Sequence, residues 1–301
     1  MTHQDRWNTA ELDLQAYLDR LGVDARTPDR ATLDRLHEAH VRAFTFDNID
    51  VLLGEGPRTD LASVGRKFLE QGRGGYCFEH GTLLAAALER LGYEVRRRLG
   101  RVGDPGEAPR AHMVVEVLLD GRRLLADPGY GSGLLRTIEL RDGAQDTYAG
   151  TTHRVRRVVE EGTVSWELQR WTRGTWERQH TTDELLVRPA DVDMGNHYVS
   201  GHPDSSFRSM LIVAGHPGDG SHVTLTHGTV TVRRPGAETA KRDLEEGELG
   251  VWLDRLGVPR DRHERLHAAV AGLSSPQEAP ETRQEPGEPE TGQDTGETVP
   301  G

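Results

Sequence analysis

The chain contains one cysteine, Cys77, and its surroundings are those of a reactive thiol. It follows Gly74 and Gly75, which permit a positive φ or a close backbone approach, and it precedes the helical pattern of residues 83–91. At a helix N-terminus the macrodipole favours an anion, and there the pKa of a cysteine falls below ~8.5. A single cysteine excludes an intrachain disulfide, a cysteine-rich zinc site and a CxxC redox pair. Cys77 is therefore either an inert buried side chain or a nucleophile.

His112 and Asp127 lie on the two arms of a predicted β-hairpin whose turn is Asp120-Gly121. A two-residue turn pairs residue 119 with residue 122, which makes His112 and Asp127 diagonal neighbours on one face, ~7–8 Å apart. A slip of one residue would put them on opposite faces. Taken singly, such a His is usually an ordinary strand residue and an Asp before Pro-Gly a turn former. Together with a thiol, they predict a triad in which the carboxylate orients the imidazole and the imidazole deprotonates the thiol.

Helical and strand patterns divide the chain. Residues 9–45 hold two helical patterns, a third covers residues 61–69, and the fourth follows Cys77, which predicts an N-terminal helical bundle. Strand patterns follow in residues 93–102, 112–119, 122–126, 153–159, 164–171 and 175–180. They predict a meander that forms a small barrel or a curled sheet. A mixed segment comes next, with strands near residues 208–214, 222–226 and 229–234 and a helix from about residue 245 to 256.

Composition excludes several classes of protein. No apolar run approaches the ~18 residues of a membrane span, and the charged N-terminus lacks the apolar core of a secretory signal, so the expected location is the cytoplasm. The net charge of −12 argues against a nucleic-acid partner. Residues 274–301 contain seven acids, one arginine and almost nothing apolar, which predicts a disordered acidic tail.

Four motifs in order resemble the arylamine N-acetyltransferases. They are FTFDNID at residues 44–50, RGGYCFEHGTLLAAALERLGYEV from residue 73, PRAHMVVEV with LLADPGYGSG around His112 and Asp127, and NHYVSGHPDSSF at residues 196–207. The resemblance covers the chain up to about residue 273.

This resemblance implies an α+β fold of an N-terminal helical bundle, a central β-barrel and a C-terminal α/β lid joined by a helical segment, with a cysteine-protease-like triad. The expected domains are residues 1–92 for the bundle with the nucleophile, 93–190 for the barrel with His112 and Asp127, 191–273 for the linker and lid, and 274–301 for the tail. The resemblance also assigns Cys77, His112 and Asp127 as the catalytic residues. It implies a structural pair between Arg73 and Asp47.

The implied reaction is a ping-pong transfer. Acetyl-CoA, a co-substrate rather than a bound cofactor, acylates Cys77, and an arylamine or arylhydrazine then attacks the thioester. Expected coenzyme A contacts are Gly129, Gly131 and Ser132, as a nest of N–H groups, and Phe207 by resemblance. The histidines are scattered and HEAH at residues 37–40 lacks the zinc spacing, so no metal is expected. Two departures, Gly81 where many relatives have Asn and the hydroxyl of Tyr130, leave the acceptor preference open.

Three alternatives remain at this point. A macrolactam-forming amide synthase shares the triad but takes a long acyl chain from a carrier protein. A transglutaminase-like cysteine hydrolase uses the same chemistry without coenzyme A. A non-catalytic binding protein on the same fold would have an unreactive thiol.

Overall fold

The computed structural model describes residues 5–25 and 27–273, and the predicted disordered tail lies outside them. Its fold is α+β, as the sequence predicts. Five helices precede the barrel: α1 (Leu14–Leu21), α2 (Arg30–Ala43), α3 (Ile49–Leu52), α4 (Leu61–Gly65), which continues as a π-helical turn Arg66–Glu70, and α5 (Cys77–Arg90). Their apolar faces share one core that includes Tyr17, Leu33, Leu36 and Leu84. The predicted helical bundle is confirmed.

Eight strands form the central sheet, in the order β5-β4-β3-β2-β9-β8-β7-β6. They are β2 (Glu94–Arg101), β3 (His112–Leu119), β4 (Arg122–Ala126), β5 (Ile138–Glu139), β6 (Gln145–Tyr148), β7 (Thr151–Glu160), β8 (Thr163–Thr172) and β9 (Thr175–Asp183). The connection between β5 and β6 nearly closes the barrel, because Gly143 donates to the carbonyl of Val155 at 2.9 Å and Val155 donates to that of Ala144 at 2.8 Å. The barrel is confirmed; β5 and β6 are too short and polar to show a strand pattern.

The lid is a five-stranded antiparallel sheet covered by helices. Its order is β1-β10-β11-β12-β13, with β1 (Phe46–Asp47), β10 (Ile212–Gly215), β11 (His222–Thr226), β12 (Thr229–Arg233) and β13 (Ala240–Asp243). Helix α6 (Pro189–Gly201) joins barrel and lid, while α7 (Glu248–Arg255) and α8 (His263–Ala271) complete the C-terminal part. Strand β1 comes from the N-terminal helical region, so this sheet unites two distant parts of the chain. The domain boundaries at residues 92 and 190 stay a prediction.

The hairpin of β3 and β4 has the predicted register. Leu119 pairs with Arg122 and Val115 with Ala126. Asp120 and Gly121 have φ values of 49° and 72°, the left-handed conformation that a two-residue hairpin turn requires. The register therefore follows from the turn.

Among the described residues, no helix combines the length and the apolar character that crossing a membrane requires.

Candidate active site

Cys77 is the first residue of α5, directly after the extended N-cap Tyr76. Its surroundings approach so closely that glycine is required: a Cβ on Gly129 would lie 2.5 Å from the Cα of Cys77, and Cβ atoms on Gly74 and Gly75 would collide with Thr45 and with the carboxylate of Glu79. The thiol is only 5% exposed. The helix start predicted for the nucleophile is confirmed, and the two preceding glycines serve close packing.

His112 and Asp127 meet as the hairpin register predicts. The distance from Nε2 of His112 to Oδ2 of Asp127 is 3.0 Å, and both side chains are buried. The other carboxylate oxygen of Asp127 accepts from the backbone N–H of Gly129 at 3.2 Å. Because Nε2 faces the acid, Nδ1 is the nitrogen left for the thiol of Cys77, which lies close enough to help raise the pKa of the imidazole. The thiol itself donates to the carbonyl of Ala111 at 3.7 Å.

The electrostatics of this trio favour an imidazolium. Burial lowers the pKa of His112, but the negative charge of Asp127 and the contact with Cys77 outweigh it and raise the pKa to about 10. Burial raises the pKa of Asp127, but His112 and His180 lower it by more, so that the pKa lies well below its usual value. The acid is therefore ionised, and it holds a proton on His112.

A second buried imidazole, His180 on β9, also reaches Asp127. Its Nε2 lies 3.1 Å from the same Oδ2, and its ring centroid is 4.9 Å from that of His112. Despite this short distance, neither ring nitrogen of His180 makes a well-formed hydrogen bond with a described residue. Burial and the positive charge of His112 outweigh Asp127 and lower the pKa of His180, which is therefore neutral. No motif marks this residue; its place at an inward position of a barrel strand is the one signal in the sequence.

His112, Asp127 and His180 could together coordinate a cation. Within the described part of the chain they form a group whose possible ligand atoms lie within 4.8 Å of one another. The contact of His112 with Asp127 is also that of an N–H donor, and the expectation of no metal stays a prediction.

The predicted pair between Asp47 and Arg73 is wrong. Arg73 instead pairs with Asp50 and, at 3.1 Å, with Glu55. Asp47 turns back on its own segment, where its carboxylate accepts from the hydroxyl of Thr45 at 3.0 Å and from the backbone N–H of Ile49 at 3.2 Å. The acid of the early motif that meets Arg73 is therefore the one on the first turn of α3.

Asp50 is the centre of a buried charge network beneath the start of α5. It lies 2.8 Å from Lys67 and 2.7 Å from Arg262, in addition to Arg73. Lys67 also contacts Glu79 at 2.7 Å, and Glu79 accepts from the backbone N–H of Tyr76 at 3.2 Å. The network thus fixes the residue that precedes the nucleophile.

Aromatic rings surround the thiol. Phe207 packs against Phe46 and Tyr76, with centroid distances of 6.1 and 5.9 Å, in the apolar cluster that contains Cys77. Tyr130 meets His112 edge to face at 5.7 Å, and burial raises its pKa to about 12, so that the hydroxyl is neutral. A flat apolar group suits such walls.

The four expected coenzyme A contacts lie on two sides of the loop after Asp127. Gly129 and Phe207 lie with Cys77, whereas Gly131 and Ser132 line a cavity between barrel and lid. The carbonyl of Gly131 accepts from His222 at 2.6 Å. Contact of these residues with coenzyme A stays a prediction.

A buried thiol, a base beside it and an acid that orients the base form the arrangement of nucleophilic cysteine catalysis. On this scaffold the arrangement corresponds to a known class of transferase: a family model described as N-acetyltransferase matches residues 29–259. An arylamine N-acetyltransferase of Mycolicibacterium smegmatis is 35% identical over 82% of this chain and 92% of the relative.

Solved structures of arylamine N-acetyltransferases also resemble this chain. The arylamine N-acetyltransferase of Nocardia farcinica superposes with a TM-score of 0.80 at 36% identity, covering 89% of this chain and 96% of that one. The Mycobacterium marinum enzyme in complex with CoA does so with a TM-score of 0.77 at 30% identity, covering 86% and 98%. The chain belongs to the arylamine N-acetyltransferase family and is an acyltransferase.

Proposed function

We propose that the protein transfers the acetyl group of acetyl-CoA to arylamines or arylhydrazines through a thioester on Cys77. The observation that carries this proposal is the buried hydrogen bond between His112 and Asp127, beside a buried thiol at the start of α5. Family membership and the CoA complex of the M. marinum relative support acetyl-CoA as the donor. We place the reaction in the cytoplasm, where acetyl-CoA is available.

The first half-reaction acylates the enzyme. The thiolate of Cys77 attacks the acetyl carbonyl, the carbon–sulfur bond to coenzyme A breaks, and His112 gives its proton to the departing thiolate. Asp127 keeps the imidazole in the tautomer and orientation that this transfer needs. Free coenzyme A leaves, and the acetyl group remains on Cys77.

The second half-reaction regenerates the thiol. The amine attacks the thioester carbonyl, the bond to the sulfur of Cys77 breaks, and His112 accepts the proton that the amine nitrogen loses. Phe46, Phe207 and Tyr130 are proposed to hold the aromatic ring of the acceptor, and Gly129, Gly131, Ser132 and Phe207 to contact coenzyme A.

Intact-protein mass spectrometry after exposure to acetyl-CoA alone tests the covalent step. We expect one acetyl group on the wild type, its loss when an arylamine is added, and no acetylation of Cys77→Ser, because a hydroxyl is too weakly acidic for this base. Turnover without an acetylated intermediate would refute the mechanism.

The same experiment separates the alternatives. A macrolactam-forming amide synthase would resist acetyl-CoA but accept an acyl group from a carrier-protein thioester. A transglutaminase-like hydrolase would cleave amide bonds without coenzyme A.

A further inference from the structure

A cavity of about 1210 Å³ lies between the barrel and the lid sheet. Strand β8, strand β12 and the loop after Asp127 contribute to its wall. Cys77 is not among the described residues that line it, since Tyr130 and Gly131 lie between the cavity and the triad. A ligand group bound there would sit beside the catalytic residues, on the far side of one loop.

The lining carries an excess of positive charge. Seven arginines line the cavity against three acids, so an anion would be attracted unless the arginines are already paired. Five of them have a carboxylate within 4 Å: Arg42 with Glu38, Arg136 with Asp146, Arg178 with Glu167, Arg234 with Asp219, and Arg170 with Glu177.

Arg170 and Arg233 combine partial burial with a weak or absent ion pair, whereas Arg173 and Arg234 are exposed to solvent. Arg233 is half-buried; its recorded partner is the hydroxyl of Thr224, 3.0 Å away, and it forms no ion pair with a described residue. Arg170 has a side chain only 17% exposed, and its ion pair with Glu177 is loose at 3.9 Å. Each guanidinium therefore keeps N–H donors without a strong acceptor.

The two guanidinium groups also repel one another. Burial and then the charge of Arg170 lower the pKa of Arg233. The imidazoles beside them are neutral, because burial lowers the pKa of His222 to about 3 and that of His216 to about 4. An anion between the arginines would relieve this repulsion in surroundings where charge interactions are strong.

The loop itself offers acceptors here rather than donors. The carbonyl of Gly131 accepts from His222, and that of Ser132 accepts from Arg170 at 3.4 Å. Recognition of an anion in this cavity therefore falls to the arginines, whose planar forks match the two oxygens of a carboxylate or phosphate.

We propose that Arg170 and Arg233 form an oxyanion site that binds a carboxylate or phosphate group of a substrate. The proposal rests on the proposed acetyl transfer and adds to it a preference for anionic substrates. The group has two possible sources, a carboxylate on the arylamine or a phosphate of the acetyl donor.

The test compares Arg233→Gln and Arg170→Gln with the matched control Arg178→Gln, which removes an already paired arginine from the same wall. Acceptors are 4-aminobenzoate and its neutral isostere 4-aminobenzamide; donors are acetyl-CoA and acetyl-3′-dephospho-CoA. A hydrogen bond to a charged group supports a rise in KM of roughly 10- to 100-fold. The control should change little.

The acceptor comparison and the donor comparison together identify which substrate carries the bound anionic group. If the carboxylate is bound, the wild type prefers 4-aminobenzoate and both test variants lose that preference with the KM for acetyl-CoA unchanged. If a phosphate is bound, the variants raise the KM for acetyl-CoA and no longer distinguish it from the dephospho donor. Unchanged selectivity in both arms would overturn the proposal.

A binding measurement on the wild type keeps the proposal testable if a variant does not fold. Inorganic phosphate or benzoate should raise Tm above the value in sodium chloride of equal ionic strength, since a ligand that binds the folded state stabilises it. No shift with either anion would refute the site. Failure of the proposed function would instead appear as absent transfer to either acceptor, with the Tm shift still present.

Discussion

Replacing Asp50 with asparagine tests which acid supports the segment before the nucleophile. Asp50 faces Lys67, Arg73 and Arg262, and its side chain is 10% exposed. Asp47, three residues earlier, is the matched control, because it is also buried and bonds to Thr45 and Ile49 without a recorded ion pair.

The expected loss follows from the partners that remain. Removing one member of a buried ion pair costs ~3–5 kcal/mol, because the other charge is left uncompensated. Glu79 still faces Lys67 and Glu55 still faces Arg73, which puts the loss near the lower value, ~3 kcal/mol. For a domain of this size that lowers Tm by roughly 6–12 °C. Asp47→Asn removes a charge that burial disfavours and keeps one acceptor, so its cost should not exceed ~1 kcal/mol.

The pH dependence of thermal unfolding is a second test of the role of Asp50. Burial raises the pKa of Asp50, but Lys67, Arg73 and Arg262 outweigh it, and the pKa lies below 3.8. Its charge therefore stabilises the fold above pH 3.8, and that stability is lost as the pH falls below this value. The difference in Tm between wild type and Asp50→Asn should therefore become smaller at acidic pH. Equal Tm values for wild type and Asp50→Asn at pH 7, or a larger loss in Asp47→Asn, would refute the network.

Three further predictions concern the triad and the tail. Asp127→Asn should lower kcat by up to ~10⁴, the effect of the same change in a serine-protease triad; near-normal acetylation by mass spectrometry would reduce the triad to a dyad. His180→Phe should lower kcat roughly tenfold, as expected for a weak bond to a charged group, whereas His180→Gln keeps a donor and should retain activity; equal losses would mean that His180 only fills space. Removing residues 274–301 should leave kcat unchanged, because that segment has almost no apolar residues to dock, and a large loss would assign it a role.

The part of the site that could be predicted from sequence depends on local geometry. The Asp120-Gly121 turn fixes the register of one hairpin, and the register places His112 beside Asp127. The start of α5 after Gly75 is equally local, since turn glycines and helical periodicity lie within a few residues of Cys77. Such features need no knowledge of how distant segments pack.

The features that sequence reasoning missed depend on distant contacts. Asp47 and Asp50 are acids of one short motif, and only the direction in which α3 leaves β1 decides which of them meets Arg73. His180 reaches Asp127 because β9 pairs with the edge of β2 opposite the hairpin, a pairing between segments distant in sequence. Strand β1 has two residues, too few for any alternation to show, and it exists because β10 pairs with it.

The position of Asp127 between two imidazoles bears on how the proposed reaction proceeds. Asp127 and Cys77 together raise the pKa of His112, so part of that rise depends on a thiol that the first half-reaction consumes. In the proposed mechanism, acetylation of Cys77 removes the contribution of the thiol, and the pKa of His112 falls. The proton then leaves readily with coenzyme A, and the neutral imidazole that remains is the base that the incoming amine requires. In the proposed mechanism, acylation of Cys77 thus changes His112 from an acid into a base, while Asp127 stays ionised.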